Sequence, residues 1–570
     1  MRRIFFIPLA LAGVFALHMS TGPAAGQDAT AFATWRNLAE SQPVSPAKSA
    51  AGDYVERRTL PNGKSVVAVV KLPVGATPAV TVSPPPEGVD AGPVLTKALA
   101  EAAAAGARKL VLSPGVYRFL PRASGGDGML LLRNLSDFTI DGRGATLLFA
   151  GSGSGVLISN VQRLRLTGMT IDYDTPSSAA GVVREANGAK TIVLDSGAQQ
   201  DAKIHQVTVQ SPVDTRLFFG AAGVPVQITD NIMSAGAAFD TLPAGERVTV
   251  KYSYYEGAAI MIKDAANTHA SNDIVIDRVT IHGATGVGID AERMGRGLAI
   301  VNVAIRARPD GPPLSTQYDG VHLTSFAGDL IMRNNVIRDQ GDDAINVSSV
   351  IYKVANPQAG AASVNLTHRA DVLAAGDPLA FFDASGAYVF SANVRSLSPS
   401  GSSAVAELDK PLPQADIAYA RNLNLLGSRV VIRDNTIGPC GCHGVLVQTP
   451  NSVLERNTFN ALQFSPVRVL TSLDPWLEGV GAFNVAVQDN VMNDTGGESS
   501  QSVPQAAISV YMQSGSVMTG TIPGADVSIL RNKLQGVAQD CIYADGVQNL
   551  TVQGNSCQSD RGATIAYPGN

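Results

Sequence analysis

Charged residues make up 16% of this 570-residue chain and aromatics 6%, beside 45% hydrophobic residues and 56 glycines. That apolar fraction excludes a disordered chain, and a net charge of -5 without any Lys/Arg block excludes a nucleic-acid footprint or a strongly acidic partner. The length allows several domains or one long repetitive one, and the Gly-, Val-, Ile-, Asn- and Thr-rich texture suits a β architecture with many tight turns.

At the start, Arg2 and Arg3 precede an apolar run from Ile4 to Met19 and the small residues Ala24-Ala25-Gly26. This is the layout of a secretory signal peptide over 1–26, too short for a span, and no other segment is apolar over a spanning length. The mature chain is expected to be soluble and exported, periplasmic or extracellular. Residues 27–88 are mixed and Pro/Ala/Gly-rich, and read as a lead-in wrapped on the surface. An Ala-rich stretch at about 93–106 reads as an amphipathic helix capping the open end of a solenoid. "KLVL", a Ser-Pro-Gly turn and "VYRF" then make the first coil, within a block of first coils over 89–179.

From there one pattern recurs: alternating apolar residues, a polar residue, Asn, any residue, an apolar one. It appears around Asn335, Asn435, Asn457, Asn490, Asn532 and Asn555. From Asn435 to Asn457, and again from Asn532 to Asn555, it returns after an interval in the low twenties. A period in the twenties built of short strands and Gly/Asn corners is a solenoid signature, and Asn both tolerates the left-handed corner and can hydrogen-bond along a stack. The Leu-rich consensus of the rival leucine-rich repeat is missing. The expected fold is all-β: a right-handed parallel β-helix, with coils at about 4.8 Å. Residues 180–255 and 350–428 break the period and read as β-rich inserts at coil corners, the second with the texture of a compact barrel. They separate coils 256–349 from C-terminal coils 429–570.

Within the middle coils, "STQYDGVHLTSFAGDL" carries Asp319 and "RDQGDDAINV" carries Asp342 and Asp343. Asp342 follows Asp319 by one such interval, so the three carboxylates are expected on one face of adjacent rungs. Crowded carboxylates push one pKa up and leave the others ionised, which supplies the acid and the base of glycoside hydrolysis. One-coil spacing with splay predicts carboxyl groups about 6.5–9.5 Å apart, the inverting range. The second insert starts just after the Asp pair and is placed to wall the same groove. The four cysteines, Cys440, Cys442, Cys541 and Cys557, are too few for a disulfide framework. The cluster Cys440, Cys442 and His443 has no second ligand pair at zinc spacing, Cys442 and His443 read as turn residues of a strand ladder, and no metal or cofactor is expected.

"YDGVH" followed one coil later by "GDDAINV" resembles two related groups, the polygalacturonase-like hydrolases and the bacterial α-1,3-galactosidases of glycoside hydrolase family 110. The second resemblance also runs through "LTGMTIDYDTP" and "DPWLEGVGAFNVAVQDNVM". It implies an exported, inverting, exo-acting α-galactosidase with an oligo- or polysaccharide substrate. By position it implies Asp342 as general acid and Asp319 and Asp343 as bases orienting water. Trp476 and Glu478 would hold the sugar, with His322 as a further substrate contact. The chain departs from the galactosidase pattern at Gly320, Val321 and Ser348. "CGCHGV" is closer to the polygalacturonase G-H-G, which implies a supporting role for His443, and "PVRV" makes Arg468 the counterpart of that group's R-I-K. Alternatives are a polygalacturonase-like hydrolase, a Ca²⁺-dependent lyase using the three Asp residues, and a non-catalytic carbohydrate-binding β-helix. Side-by-side packing of a blunt solenoid makes a homo-oligomer an open possibility.

Overall fold

The computed structural model describes residues 25–41, 48–75, 78–121, 128–186, 188–195, 204–209, 217–220, 226–240, 242–252, 257–264, 270–441, 443–479, 481–496, 506–514, 517–518, 524–559 and 565–566. Residues 1–24 of the expected signal peptide, and Cys442, lie outside the described residues. Among the described residues no helix is long and apolar enough to cross a membrane.

One 31-stranded sheet system winds through the chain in parallel rungs. Strand Ala258–Lys263 pairs in parallel with Val287–Val301, that strand with Val321–Arg333, and the next rungs follow at Ile345–Ser348, Val445–Val447, Val467–Asp474 and Ala506–Ser514. Alternate residues point inward and form a continuous apolar core, in which Ile289, Val321, Ile345, Val445, Val467 and Ile508 stack in one column. This is a parallel β-helix.

The repeating Asn residues form a ladder inside it. Asn335 donates through Nδ2 to Asn435 Oδ1 at 2.9 Å, and Asn435 donates to Asn457, Asn457 to Asn490, Asn490 to Asn532 and Asn532 to Asn555 at 2.9–3.0 Å. Each also accepts a backbone N–H from the preceding rung, for example Asn435 N–H on Asn457 Oδ1 at 3.1 Å. The buried amides of the ladder are thereby satisfied along the stack, as a dry interior requires.

The Ala-rich helix runs Ala91–Ala104, with Asp90 as its N-cap accepting from Gly92 N–H at 3.0 Å. Leu95, Ala98, Leu99 and Ala102 close the end of the core. The lead-in takes regular structure. Ala79–Val82 pairs with Lys109–Leu112, so the first rung starts before "KLVL". The hairpin Tyr54–Thr59/Ser65–Val70 lays Val66, Ala68 and Val70 over outward Val275, Ile331 and Val431 of the solenoid. A helix over Ala25–Ser41 wedges Phe32 and Trp35 between Phe382 of the second insert and Phe483 of the solenoid. The reason is apolar: outward Val, Ile and Ala on those rungs need a cover.

Both inserts are β-rich. The first is a seven-stranded antiparallel sheet between Ser178 and Tyr252. The second is a closed six-stranded barrel between Tyr352 and Asn422. Cys541 and Cys557 form a disulfide, and the buried Cys440, bridged to Leu462 on the next rung, donates its thiol to the His443 carbonyl at 3.3 Å.

Candidate active site

The three aspartates do meet, with one change of register. The rung from Val321 pairs with the rung from Ile345 at a spacing of 24 residues, one more than separates Asp319 from Asp342. Asp319 accepts from Gly288 N–H, Asp343 accepts from Gly320 N–H, and His443 accepts from Ala344 N–H through their carbonyls at 2.9–3.0 Å. Asp319, Asp343 and His443 therefore stand in one column, and Asp342 lies beside Asp343, above Tyr318. One carboxylate oxygen from each aspartate lies within 4.8 Å of the others. The expected separation of about 6.5–9.5 Å is thus corrected: residues in one column of a parallel sheet are held at the strand spacing, and only splay could part them.

Their surroundings differ. Asp319 and Asp343 are each only 7% exposed, while Asp342 is half-buried and open to the groove. Burial, then the charges of Asp342 and Asp343, and beyond them Glu478 and Asp290, push the Asp319 carboxyl well above the usual range. Asp343 Oδ1 accepts two bonds from the next rung, from His443 N–H at 3.0 Å and from His443 Nδ1 at 2.8 Å. Asp342 Oδ1 accepts from the Asp343 N–H at 3.0 Å, which fixes the turn. Burial lowers the pKa of His443 and the nearby Arg468 charge adds to this, against the pull of Asp343. The ring is then neutral at neutral pH, with its proton on Nδ1 facing Asp343.

The outward row of the sheet continues the site. Asp290, His322, Asn346, Leu446, Arg468 and Ser509 lie in register across consecutive rungs. His322 Nδ1 is 3.4 Å from Asp319 Oδ2, and its Nε2 is 3.8 Å from Glu478 Oε1. Glu478 Oε2 accepts from Gln448 Nε2 at 2.9 Å and Asn346 Nδ2 at 3.4 Å. Glu478 sits on a loop tied to Ser472 by two backbone bonds and to the barrel entry through Ile351 N–H on Leu477 O at 2.8 Å. Trp476 projects from that loop with 66% of its surface exposed, at the rim rather than among the aspartates. Arg468 is buried, its guanidinium 5.6 Å from the Tyr511 ring centre.

Sequence reasoning missed the N-terminal side of this groove. Burial and the neighbouring Glu292 charge push Asp290 up to about 6. Glu292, against the upward push of burial, is held down at about 2 by Arg369 and Lys263. Arg369 comes from the barrel and bonds Glu292 Oε1 at 2.6 Å, so the second insert docks against the rung that carries Asp290 and Glu292. The charged residues of "GVGIDAER" were the available signal, but their coil, from Ile289 to its partner Val321 on the next rung, overruns the period in the twenties. The three carboxylates are close enough together to ligate a metal ion as well, one oxygen of Asp343 being also engaged by His443; Ca²⁺ there would complete its six to eight ligands with water or substrate oxygens.

Fold and site together define a parallel β-helix with a cluster of carboxylates on its middle rungs. The chain is similar to curated proteins named α-1,3-galactosidase. It is 22% identical over 402 residues to α-1,3-galactosidase A of Bacteroides fragilis, covering 64% of this chain and 65% of that one. It is 21% identical over 546 residues to α-1,3-galactosidase B of Parabacteroides distasonis, covering 84% and 87%. The chain thus spans 65% of the length of the Bacteroides fragilis relative. Among solved structures it aligns with a polygalacturonase from Erwinia carotovora at 11% identity and a TM-score of 0.40, covering 92% of this chain and all of that one. No family model matches the chain.

Proposed function

We propose that this protein is an exported glycoside hydrolase that removes terminal α-linked galactose from a glycan with inversion of configuration. The observation that carries the hydrolase reading is the trio itself: three carboxylates within 4.8 Å, two of them buried and Asp342 only half-buried. The names of the relatives support galactose as the sugar, and the signal-like segment from Met1 to Gly26 supports export.

The roles follow from environment. Asp343, accepting two donors from His443, is the group best stabilised as a carboxylate. Asp319, buried among like charges, retains a proton in the empty site. Asp342 alone faces the groove and is the general acid; the cluster's proton reaches it across less than 4.8 Å when the glycosidic oxygen binds. Asp319, then ionised, and Asp343 hold the attacking water between them. A separation this short is near that of retaining carboxylate pairs, so inversion rests on a different argument. Asp319 and Asp343 are both buried and Asp343 is held by His443, which keeps both back from the anomeric carbon as nucleophiles. Glu478, held by Gln448 and Asn346, and His322 accept and donate to sugar hydroxyls, and exposed Trp476 offers a stacking face at the rim. Arg369 closes the N-terminal end of the groove against Glu292, as an exo-acting pocket needs.

Proton NMR of the first product from an aryl α-galactoside and from an α-1,3-linked galactosyl disaccharide tests the reading. The β-anomer is expected first; an α-anomer refutes inversion, and no hydrolysis of either substrate refutes the galactosidase. Asp342→Asn should lower kcat by about 10²–10⁴-fold with little change in KM.

A further inference from the structure

The first insert looks like a decoration at a coil corner, yet one of its side chains reaches beneath the aspartates. Lys251, next to last in the strand Arg247–Tyr252, is only 3% exposed. Its Nζ donates to the Gly341 carbonyl at 2.9 Å and lies 4.6 Å from the centre of the Tyr318 ring. Gly341 immediately precedes Asp342, and Tyr318 immediately precedes Asp319. One ammonium therefore touches both turns that present the trio. The packing there is close: a Cβ at residue 341 would lie 2.5 Å from the Gln317 carbonyl and 3.1 Å from Lys251 Cε. Neighbouring bonds fasten the same insert to the same turn, with Leu314 N–H donating to Ser178 Oγ at 3.1 Å and Gln317 Nε2 donating to the Tyr252 carbonyl.

A lysine is rarely drawn this far from water unless its charge is used. Three carboxylates crowded together repel, and a cation one residue away from two of them offsets that repulsion while holding their backbones. We propose that Lys251 is a positioning residue: through Gly341 and Tyr318 it sets the spacing of Asp319, Asp342 and Asp343 and lowers the cost of ionising them. The insert is then part of the catalytic apparatus rather than a tolerated loop. The functional half of this inference rests on the hydrolase reading above; the electrostatic half does not.

The test compares full-length wild type, Lys251→Met and Lys251→Arg by thermal unfolding between about pH 4.5 and about pH 7.5 and by steady-state kinetics on an aryl α-galactoside. Without the ammonium the trio is harder to ionise. The Lys251→Met deficit in Tm should therefore grow as pH rises and the carboxylates charge. A deficit that is the same at every pH reports lost packing only and overturns the proposal. In kinetics, Lys251→Met should lower kcat by about 10²-fold with KM little changed, and both limbs of its pH profile should move to higher pH. Unchanged kcat and limbs overturn it. If Lys251→Met does not fold, Lys251→Arg decides: it should keep the wild-type pH dependence of Tm, and a changed dependence overturns the proposal. A wild type with no turnover defeats the galactosidase reading, and the unfolding measurement still judges Lys251.

Discussion

Replacing Asp319 by Asn should make the protein more stable at neutral pH while abolishing activity. Asp319 is buried, and its nearest carboxylate oxygens lie within 4.8 Å. Ionising Asp319 beside a second carboxylate at that distance, at an effective dielectric of about 20, would cost about 3 kcal/mol, so the folded protein keeps a proton there instead, at a cost at neutral pH bounded by that figure. The Lys251 ammonium and the proton shared within the cluster offset part of this, which leaves about 1–2 kcal/mol for the Asn variant to recover. The sign follows from linkage. The folded-state pKa of Asp319 is raised above its unfolded value, so its stabilising contribution is complete below the unfolded pKa and is lost as pH rises through the folded one. Wild type and Asp319→Asn should therefore melt together near pH 4 and part as pH rises, the variant melting about 1–3 °C higher at neutral pH. Asn can donate from Nδ2 to Asp342 or Asp343, so the substitution leaves no buried donor stranded. Thermal unfolding across this pH range is the assay. A variant less stable than wild type by the same amount at every pH would show that the Asp319 carboxyl makes net favourable bonds, and the repulsion argument would fail.

Arg369→Ala should raise KM about tenfold with kcat nearly unchanged, because it removes a charged partner of Glu292 at the groove wall and leaves the trio intact; steady-state kinetics check this. Asn457→Ala should cost about 1–3 kcal/mol in chemical denaturation, since it strands the Asn435 N–H, leaves Asn435 Nδ2 with only the Met332 carbonyl and leaves Asn490 Oδ1 with only the backbone N–H of residue 457. Arg421→Met should be neutral or stabilising by about 1 kcal/mol, read from denaturant midpoints. Burial lowers the Arg421 pKa to about 9, and its guanidinium rests 4.4 Å from the Phe382 ring centre with no ion pair among the described residues.

What could be read from residues alone was what the rung repeats. The Asn ladder needs one residue type at one corner, so the spacing of Asn435, Asn457, Asn532 and Asn555 revealed the winding directly. The trio was legible for the same reason, because a D-G on one coil and a G-D-D on the next must stack if the coils do. The register slipped by one residue, since a period averaged over several coils cannot fix the length of a given one. That single residue places Asp343, rather than Asp342, over Asp319, and thereby leaves Asp342 facing the groove. The spacing was misjudged because side-chain splay was granted more freedom than a hydrogen-bonded column allows. Asp290 and Glu292 escaped because their coil, closing only at Val321, is longer than the repeat that was being counted. Lys251 and Arg369 escaped for a different reason: each acts on a rung far from it in the chain, and nothing local to an insert says which surface it will dock on. In a solenoid with insertions, a cluster such as the three aspartates lies in the periodic part and can be found by counting. The insert residues that dock beside it come from the aperiodic part, where only the folded contacts reveal them.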